Sequence, residues 1–110
     1  MANTFKNAAL ANVNNSAYDT LYTCPSATTT IVLGVAITNK TAQAVNVTLQ
    51  FTDSSASTTH QLLEQVDIPG RTTLEVLAGQ KYVLEASDIF KCQAGTASAL
   101  DVVMGLMEIT

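Results

Sequence analysis

The chain has 110 residues, the size of one domain with a single core. Apolar residues make up 47% of it and charged residues 13%, against a usual charged share of about 25%. This shortage of charge indicates that part of the surface is covered by other chains. Five basic residues are scattered among nine acidic ones without a run, which argues against a nucleic-acid groove.

The first 17 residues are rich in Asn and Ala and have little periodicity. The segment is either a disordered terminus or an extended arm that lies on a neighbouring chain through Phe5, Leu10 and Val13. It lacks the basic start and apolar run of a signal peptide, so we expect a soluble protein that is made and used without export. The sequence therefore predicts an arm at residues 1–17 and a folded domain at residues 18–110.

From Tyr18 onward the sequence is typical of β-structure. Thr, Val and Ile are frequent, and residues 44–53 alternate between apolar and polar side chains, as in a strand with one buried face. Turn signals such as Pro69-Gly70 recur at short intervals. We predict about seven to nine strands and no helix, in an all-β antiparallel β-sandwich that is jelly-roll-like. A small closed barrel is the alternative.

The segment Thr28–Asn39 is apolar on both faces of a predicted strand. Its large side chains are expected to fill the core: Ile31, Leu33, Val35 and Ile37. The alternate positions form a face of smaller side chains that allows close approach: Val32, Gly34, Ala36 and Thr38.

The last segment repeats this design. Leu100, Val102, Met104 and Leu106 are predicted to face the core, and the opposite face carries four further positions: Val103, Gly105, Met107 and Ile109. A two-layer sandwich needs only one apolar face per strand. The second cover is either the N-terminal arm or another protein chain, unless the two strands are simply central strands under long loops.

We favour packing by another chain because the sequence is poor in charge and its N-terminal segment carries apolar residues. The Ile31–Ile37 run is too short to span a membrane, which leaves proteins as the expected partners. The residues predicted to lie in this interface are Phe5, Leu10, Val13, Val32, Gly34, Ala36, Val103, Gly105 and Met107.

The sequence contains no recognisable catalytic, cofactor or metal-binding motif. His60 is the only histidine and has no ligand spacing around it, so we expect a solvated side chain at a strand end. Cys24 and Cys92 lack the pattern of a zinc site. They could form one disulfide, but a cytosolic origin argues against it, and we predict two free, half-buried thiols. We expect a protein that is not an enzyme and that uses no metal or cofactor.

Three stretches resemble small virion proteins of tailed bacteriophages. They are "DTLYTCPSATTTIVLGVAITN", "VDIPGRTTLEVLAGQKYVLEASDIFK" and "LDVVMGLMEI", and the resemblance covers about residues 18–109. At Ala86-Ser87-Asp88 this chain has Ser where the family pattern has Gly, so a left-handed turn is less certain at that corner.

The resemblance implies a structural protein of the virion, assembled in the host cytoplasm. It implies a head decoration, or cement, protein that packs between capsid subunits, with the major capsid protein as a partner and homo-oligomers, including trimers, as an expected state. The alternatives are a neck, tail or fibre-attachment component and a small receptor- or glycan-binding module. A binding module is expected to carry an exposed aromatic cluster on its loops, whereas the loops here are small and polar.

Overall fold

Nine strands form the computed structural model, which describes residues 2–110. They are β1 (Asn3–Leu10), β2 (Asp19–Thr23), β3 (Thr29–Asn39), β4 (Val45–Asp53), β5 (Thr58–Ile68), β6 (Thr73–Glu75), β7 (Tyr82–Leu84), β8 (Ile89–Ala94) and β9 (Leu100–Ile109). Residues 2–110 contain no helix, and thus none that is long and apolar enough to cross a membrane.

The strands pack as two antiparallel sheets, which confirms the predicted all-β sandwich. One sheet has the order β1-β9-β3-β6, with β7 also paired to β3, and the other has the order β2-β8-β4-β5. The chain repeatedly crosses from one sheet to the other, and this order of strands is a jelly roll. The two sheets leave four edge positions, at β1, at β6 and β7, at β2 and at β5.

The core lies between the two sheets and is made by alternate side chains of the long strands. Phe90 is fully buried at its centre, with its ring edge-to-face against Phe51 and Tyr82 at centroid distances of 6.1 and 6.3 Å. The predicted core face of β9 is confirmed, because Leu100, Val102, Met104 and Leu106 are at most 1% exposed.

The prediction for β3 is wrong in its first half. Val32, expected on the outer face, is fully buried, whereas Leu33, expected in the core, is 39% exposed. The pairing of β3 with β9 shifts register between Val32 and Gly34, so Leu33 is an extra residue in a β-bulge. The bulge inverts the alternation, and Val35 and Ile37 after it face the core as predicted.

Part of the segment predicted as an arm, residues 1–17, is a strand of the sandwich. Residues 3–10 pair with β9 along the whole of β1, from Asn3 opposite Ile109 to Leu10 opposite Val102. Val13 is fully buried in the core of its own chain, and Leu10 packs against that core. The expectation that Val13 lies on a neighbouring chain is therefore wrong, because the chain's own sandwich buries it, and Leu10 packs its partly buried side chain on the same core.

Buried polar groups hold the loops at the ends of the sandwich. The Asn39 side chain is fully buried, and its amide donates to the carbonyls of Gln43 and Ile68 at 2.8 and 2.9 Å. Its oxygen accepts the backbone N–H of Thr41 at 2.9 Å. One side chain thus satisfies three loop groups that would otherwise be unpaired.

Candidate assembly surface on the five-stranded sheet

The outer face of the five-stranded sheet, the side turned away from the core, carries a continuous row of apolar residues. Phe5 lies opposite Met107, Met107 opposite Ile31, and Ile31 opposite Val83, so the row crosses four strands in register. Phe5 is 74% exposed and Val83 58%. We call Phe5, Met107, Ile31 and Val83 the apolar row.

Next to the apolar row the outer face has a depression without side chains. Gly34 of β3 lies opposite Gly105 of β9, and a Cβ atom built on either glycine meets no other atom within 4 Å. The exposed bulge residue Leu33 immediately precedes Gly34 in the chain. We call Gly34 and Gly105 the glycine hollow.

A second apolar strip closes the far side of the glycine hollow. Ala9 lies opposite Val103, and Val103 lies opposite Ala36. Val103 is 54% exposed. The outer face therefore has bulky apolar side chains on both sides of a hollow, an arrangement that nothing within residues 2–110 covers.

The acidic groups of the outer face lie at its margin. Asp101 sits opposite Thr38 at one end, where its carboxylate forms an ion pair of 2.9 Å with Lys40. The Asn12 backbone N–H and the Lys40 ammonium hold the pKa of Asp101 below its usual value. Glu75 lies on the short edge strand β6. The middle of the face therefore presents no charge for an ionic partner to recognise.

Six of the nine residues predicted for an interface lie on this outer face. They are Phe5, Gly34, Ala36, Val103, Gly105 and Met107. Leu10, Val13 and Val32 point to the core instead. That the six contact another chain stays a prediction.

Sequence reasoning missed three residues of this face: Ile31, Leu33 and Val83. Strict alternation predicts the first two in the core, because it takes no account of the bulge. Val83 had a usable signal, since it alternates with two neighbours, Tyr82 and Leu84, that face inward.

On the inward side of the same strands a polar cluster attaches β1 to the sandwich. Lys6 of β1 lies 2.9 Å from Glu108 of β9, and the Tyr22 hydroxyl donates a short hydrogen bond to the other oxygen of Glu108. The Tyr22 oxygen also lies 2.9 Å from the Thr30 hydroxyl. The hydrogen bond from Tyr22 and the ammonium of Lys6 lower the pKa of Glu108, and burial, followed by the bond to Glu108, raises the pKa of Tyr22.

Three carboxylates, those of Asp53, Glu85 and Asp88, have oxygens within 4.8 Å of one another. Both oxygens of Asp88 accept backbone N–H groups, from Ser54 at 3.0 Å and from Glu85 at 2.9 Å. Asp53 accepts the Ser55 hydroxyl at 2.8 Å. Protein donors thus engage the carboxylates of Asp88 and Asp53, and Glu85 takes part through its backbone N–H, so Asp88 ties together the loops before β5 and before β8.

Three further depressions lie on the surface, and one of about 460 Å³ is lined by Ala27, Thr28, Thr29, Ser55, Glu85, Ala86 and Ile109. A groove of about 280 Å³ runs along one edge of the sandwich beside Val83 and is lined by Phe51, Leu62, Tyr82 and Lys81. A polar depression of about 200 Å³ on the four-stranded sheet is lined mainly by amides and a hydroxyl: Asn15, Asn46, Thr48, Gln65 and Gln93.

The remaining candidate residues carry no site. His60 lies exposed on β5, hydrogen-bonded to Thr58 at 3.1 Å and stacked on Phe51, as the sequence predicted for a solvated strand-end side chain. Cys24 and Cys92 are unpaired in this fold, and both are fully buried in the core rather than half-buried as predicted. Burial, followed by the nearby Asp19, raises the pKa of the Cys92 thiol to about 12, which makes the reactive thiolate rare.

The fold is similar to chains in several solved structures. One belongs to Bacillus endospore appendages, described as disulfide-linked pili, with a TM-score of 0.53 and 11% identity over 96% of this chain and 85% of that one. A chain of the acid-stable capsid of Helicobacter pylori bacteriophage KHP30 has a TM-score of 0.50 and 16% identity, covering 100% of this chain and 94% of that one.

A third similar chain comes from infectious bursal disease virus, strain Gx, with a TM-score of 0.51 and 7% identity. The similarity extends over 96% of the present chain and 32% of the viral chain. No protein-family model and no curated protein sequence matches the chain. At these identities the likeness concerns the fold, a jelly roll that is also found in viral capsids.

Proposed function

We propose that this chain is a structural protein of a bacteriophage virion, a head decoration (cement) protein that stabilises the capsid by packing between subunits. The observation that carries the proposal is the uncovered outer face of the five-stranded sheet. A single chain of 110 residues exposes Phe5, Leu33, Val83 and Val103 on that face, and solvent-exposed apolar patches mark contact surfaces.

The sequence resemblance to tailed-phage virion proteins and the jelly-roll likeness to a phage capsid chain support the same proposal. A cement protein acts by burying surface across joints between subunits, so it needs an apolar face rather than reacting groups. The proposed function is accordingly non-enzymatic. In it, the carboxylate of Asp88 serves only to hold loops of the sandwich together.

The likeness to spore pili raises a second role, that of a pilus subunit linked by disulfides. The cysteines of this chain do not favour it. Cys24 is 1% exposed and Cys92 is 0% exposed, so neither sulfur reaches a neighbouring subunit in this fold. Covalent linking through them would require the sandwich to open.

A particle-binding assay tests the proposal. Particles of the encoding phage that lack this chain are incubated with the recombinant protein, and binding is measured by co-sedimentation. We expect wild-type protein to bind and to raise the temperature at which the particles release DNA. Phe5→Asp and Val83→Asp should lose binding, because each places a charge in the apolar row.

Gln61→Asp is the matched control, since it places the same charge on an exposed position of β5 in the other sheet. It should bind as wild type does. A wild-type protein that fails to bind particles at any concentration would contradict the proposal. Equal loss of binding by the control would show that added charge acts without regard to the face.

A further inference from the structure

We infer that the outer face of the five-stranded sheet binds a second copy of this chain, through a two-fold contact in which Leu33 of each copy enters the glycine hollow of the other. This inference rests on the proposed function and names the subunit that covers the face: a second copy, so that the dimer is the form that packs on the capsid and a charge in the apolar row removes particle binding by removing the dimer. Three properties of the face lead to it: its shape, its charge and its area.

The shape of the face is self-complementary. Leu33 protrudes at the bulge, 39% exposed, and the hollow of Gly34 and Gly105 lies directly beside it. A two-fold interface brings the same patch of both copies together, so a protrusion needs a matching depression on its own surface. The glycine hollow has room for the Leu33 side chain of the second copy, because a Cβ atom on either glycine would meet no other atom within 4 Å.

The charge of the face permits contact with its own copy. Its central residues are uncharged, and the carboxylates Asp101 and Glu75 lie at one end and on the edge strand. Two copies therefore bring no like charges together at the centre, where desolvation would be costly. In a chain with a net charge of −4, an uncharged face lets two copies approach without repulsion between like charges at the contact.

The area of the face suffices for a specific contact. The sheet is four strands wide, with about 4.8 Å between neighbouring strands, and β9 is ten residues long, with a rise of about 3.4 Å per residue. The face therefore measures about 650 Å². Two copies would bury about 1,300 Å², at the lower end of the range of about 1,200–2,000 Å² for specific interfaces.

Sedimentation equilibrium of the purified full chain measures this contact. Wild type should form dimers, and Gly34→Val should weaken the dimer at least about tenfold, because the added side chain fills the hollow that Leu33 of the second copy needs. Gly34→Ala should lie between the two. Leu33→Asp should also weaken the dimer, whereas Gln61→Asp, on the other sheet, should not.

A cross-linking experiment tests the geometry. Leu33→Cys protein mixed with Gly105→Cys protein should give, on mild oxidation, a covalent dimer of one copy of each. Either variant alone should give much less of it, because only Leu33 and the hollow face each other. Cys24 and Cys92 are buried, so we expect neither thiol to react under these conditions.

A wild-type protein that stays monomeric at the highest soluble concentration would overturn the inference, as would dimers that Gly34→Val leaves unchanged. If such a monomer still binds particles through the apolar row, the proposed virion role stands and only the second copy is wrong. If dimers form as described but no particle binding occurs, the inference stands and the virion role is wrong.

Discussion

Lys6 near one end of the chain and Glu108 near the other form an ion pair of 2.9 Å that joins β1 to β9. The Lys6 side chain is 51% exposed, whereas that of Glu108 is 8% exposed. Solvent partly screens the ion pair, because the Lys6 side chain is exposed. The hydrogen bond from the Tyr22 hydroxyl to the same carboxylate is partly buried, and we expect it to contribute more to stability.

This relationship predicts a pH dependence. The pKa of Glu108 is lowered in the folded state, so its contribution to stability is present above the pKa of the unfolded state, about 4.3, and is lost as pH falls through the lower folded value. Tyr22→Phe removes the main cause of the shift and should cost about 1.5–3 kcal/mol at pH 7. Urea unfolding from pH 7 to pH 3 checks this.

In those unfolding curves the difference between Tyr22→Phe and wild type should shrink below about pH 4. Thr20→Val, an exposed change on the same strand, serves as the control and should leave the pH dependence unaltered. A difference that is constant over the whole range would contradict the assignment of the effect to ionised Glu108.

The bulge in β3 predicts that two apolar residues of one strand differ in their effect on folding. Ile37→Ala should cost about 2–5 kcal/mol, since its side chain is fully buried. Leu33→Ala should cost less than about 1 kcal/mol of monomer stability, because Leu33 is 39% exposed. Thermal unfolding at concentrations that keep the protein monomeric measures both. Equal losses would place Leu33 in the core after all.

The corner before β8 predicts a stabilising substitution. Ser87 has a φ of 72°, in the left-handed region that penalises any side chain with a Cβ atom. Ser87→Gly removes that penalty and should raise the free energy of unfolding by up to about 1 kcal/mol. Chemical denaturation checks it, and a loss of stability would mean that contacts of the Ser87 side chain outweigh the strain.

Replacement of Gly70 and of Gly34 by Ala should have different effects on the stability of the monomer. A Cβ on Gly70 would lie 2.4 Å from the carbonyl oxygen of Ala42, so Gly70→Ala should force the backbone apart and cost about 1–3 kcal/mol. Gly34→Ala meets open space in the monomer and should be neutral or slightly stabilising. Differential scanning calorimetry of both variants tests the pair, and a destabilised Gly34→Ala monomer would show that its own chain fills the hollow.

The fold could be predicted from the sequence because its main signals are local. Alternation in β4, the two apolar faces of β9 and turn signals such as Pro69-Gly70 depend on neighbours in the chain, and they predict the all-β sandwich and the faces of β9 correctly. The pattern at Ser87 also indicated a tight corner, and its positive φ shows that Ser adopts the backbone that the family pattern gives to Gly.

The errors arose where a distant contact decides the outcome. The bulge at Leu33 depends on how β3 pairs with β9, about 70 residues away, and a single extra residue moves Val32 and Leu33 to opposite faces. A composition rich in Asn and Ala predicted a disordered terminus or an arm on a neighbouring chain, but pairing with β9 fixes β1, and Val13 is buried only once both sheets are in place. Neither the pairing of β3 with β9 nor that of β1 with β9 can be recognised from the residues of one strand alone.

The central claim is that other protein subunits cover the outer face of the five-stranded sheet. A cryo-electron microscopy map of the intact particle at side-chain resolution tests it most directly. We predict density from a neighbouring chain within van der Waals distance of Phe5, Val83 and Val103. A map in which these side chains face solvent, while another surface makes the contacts, would contradict the account.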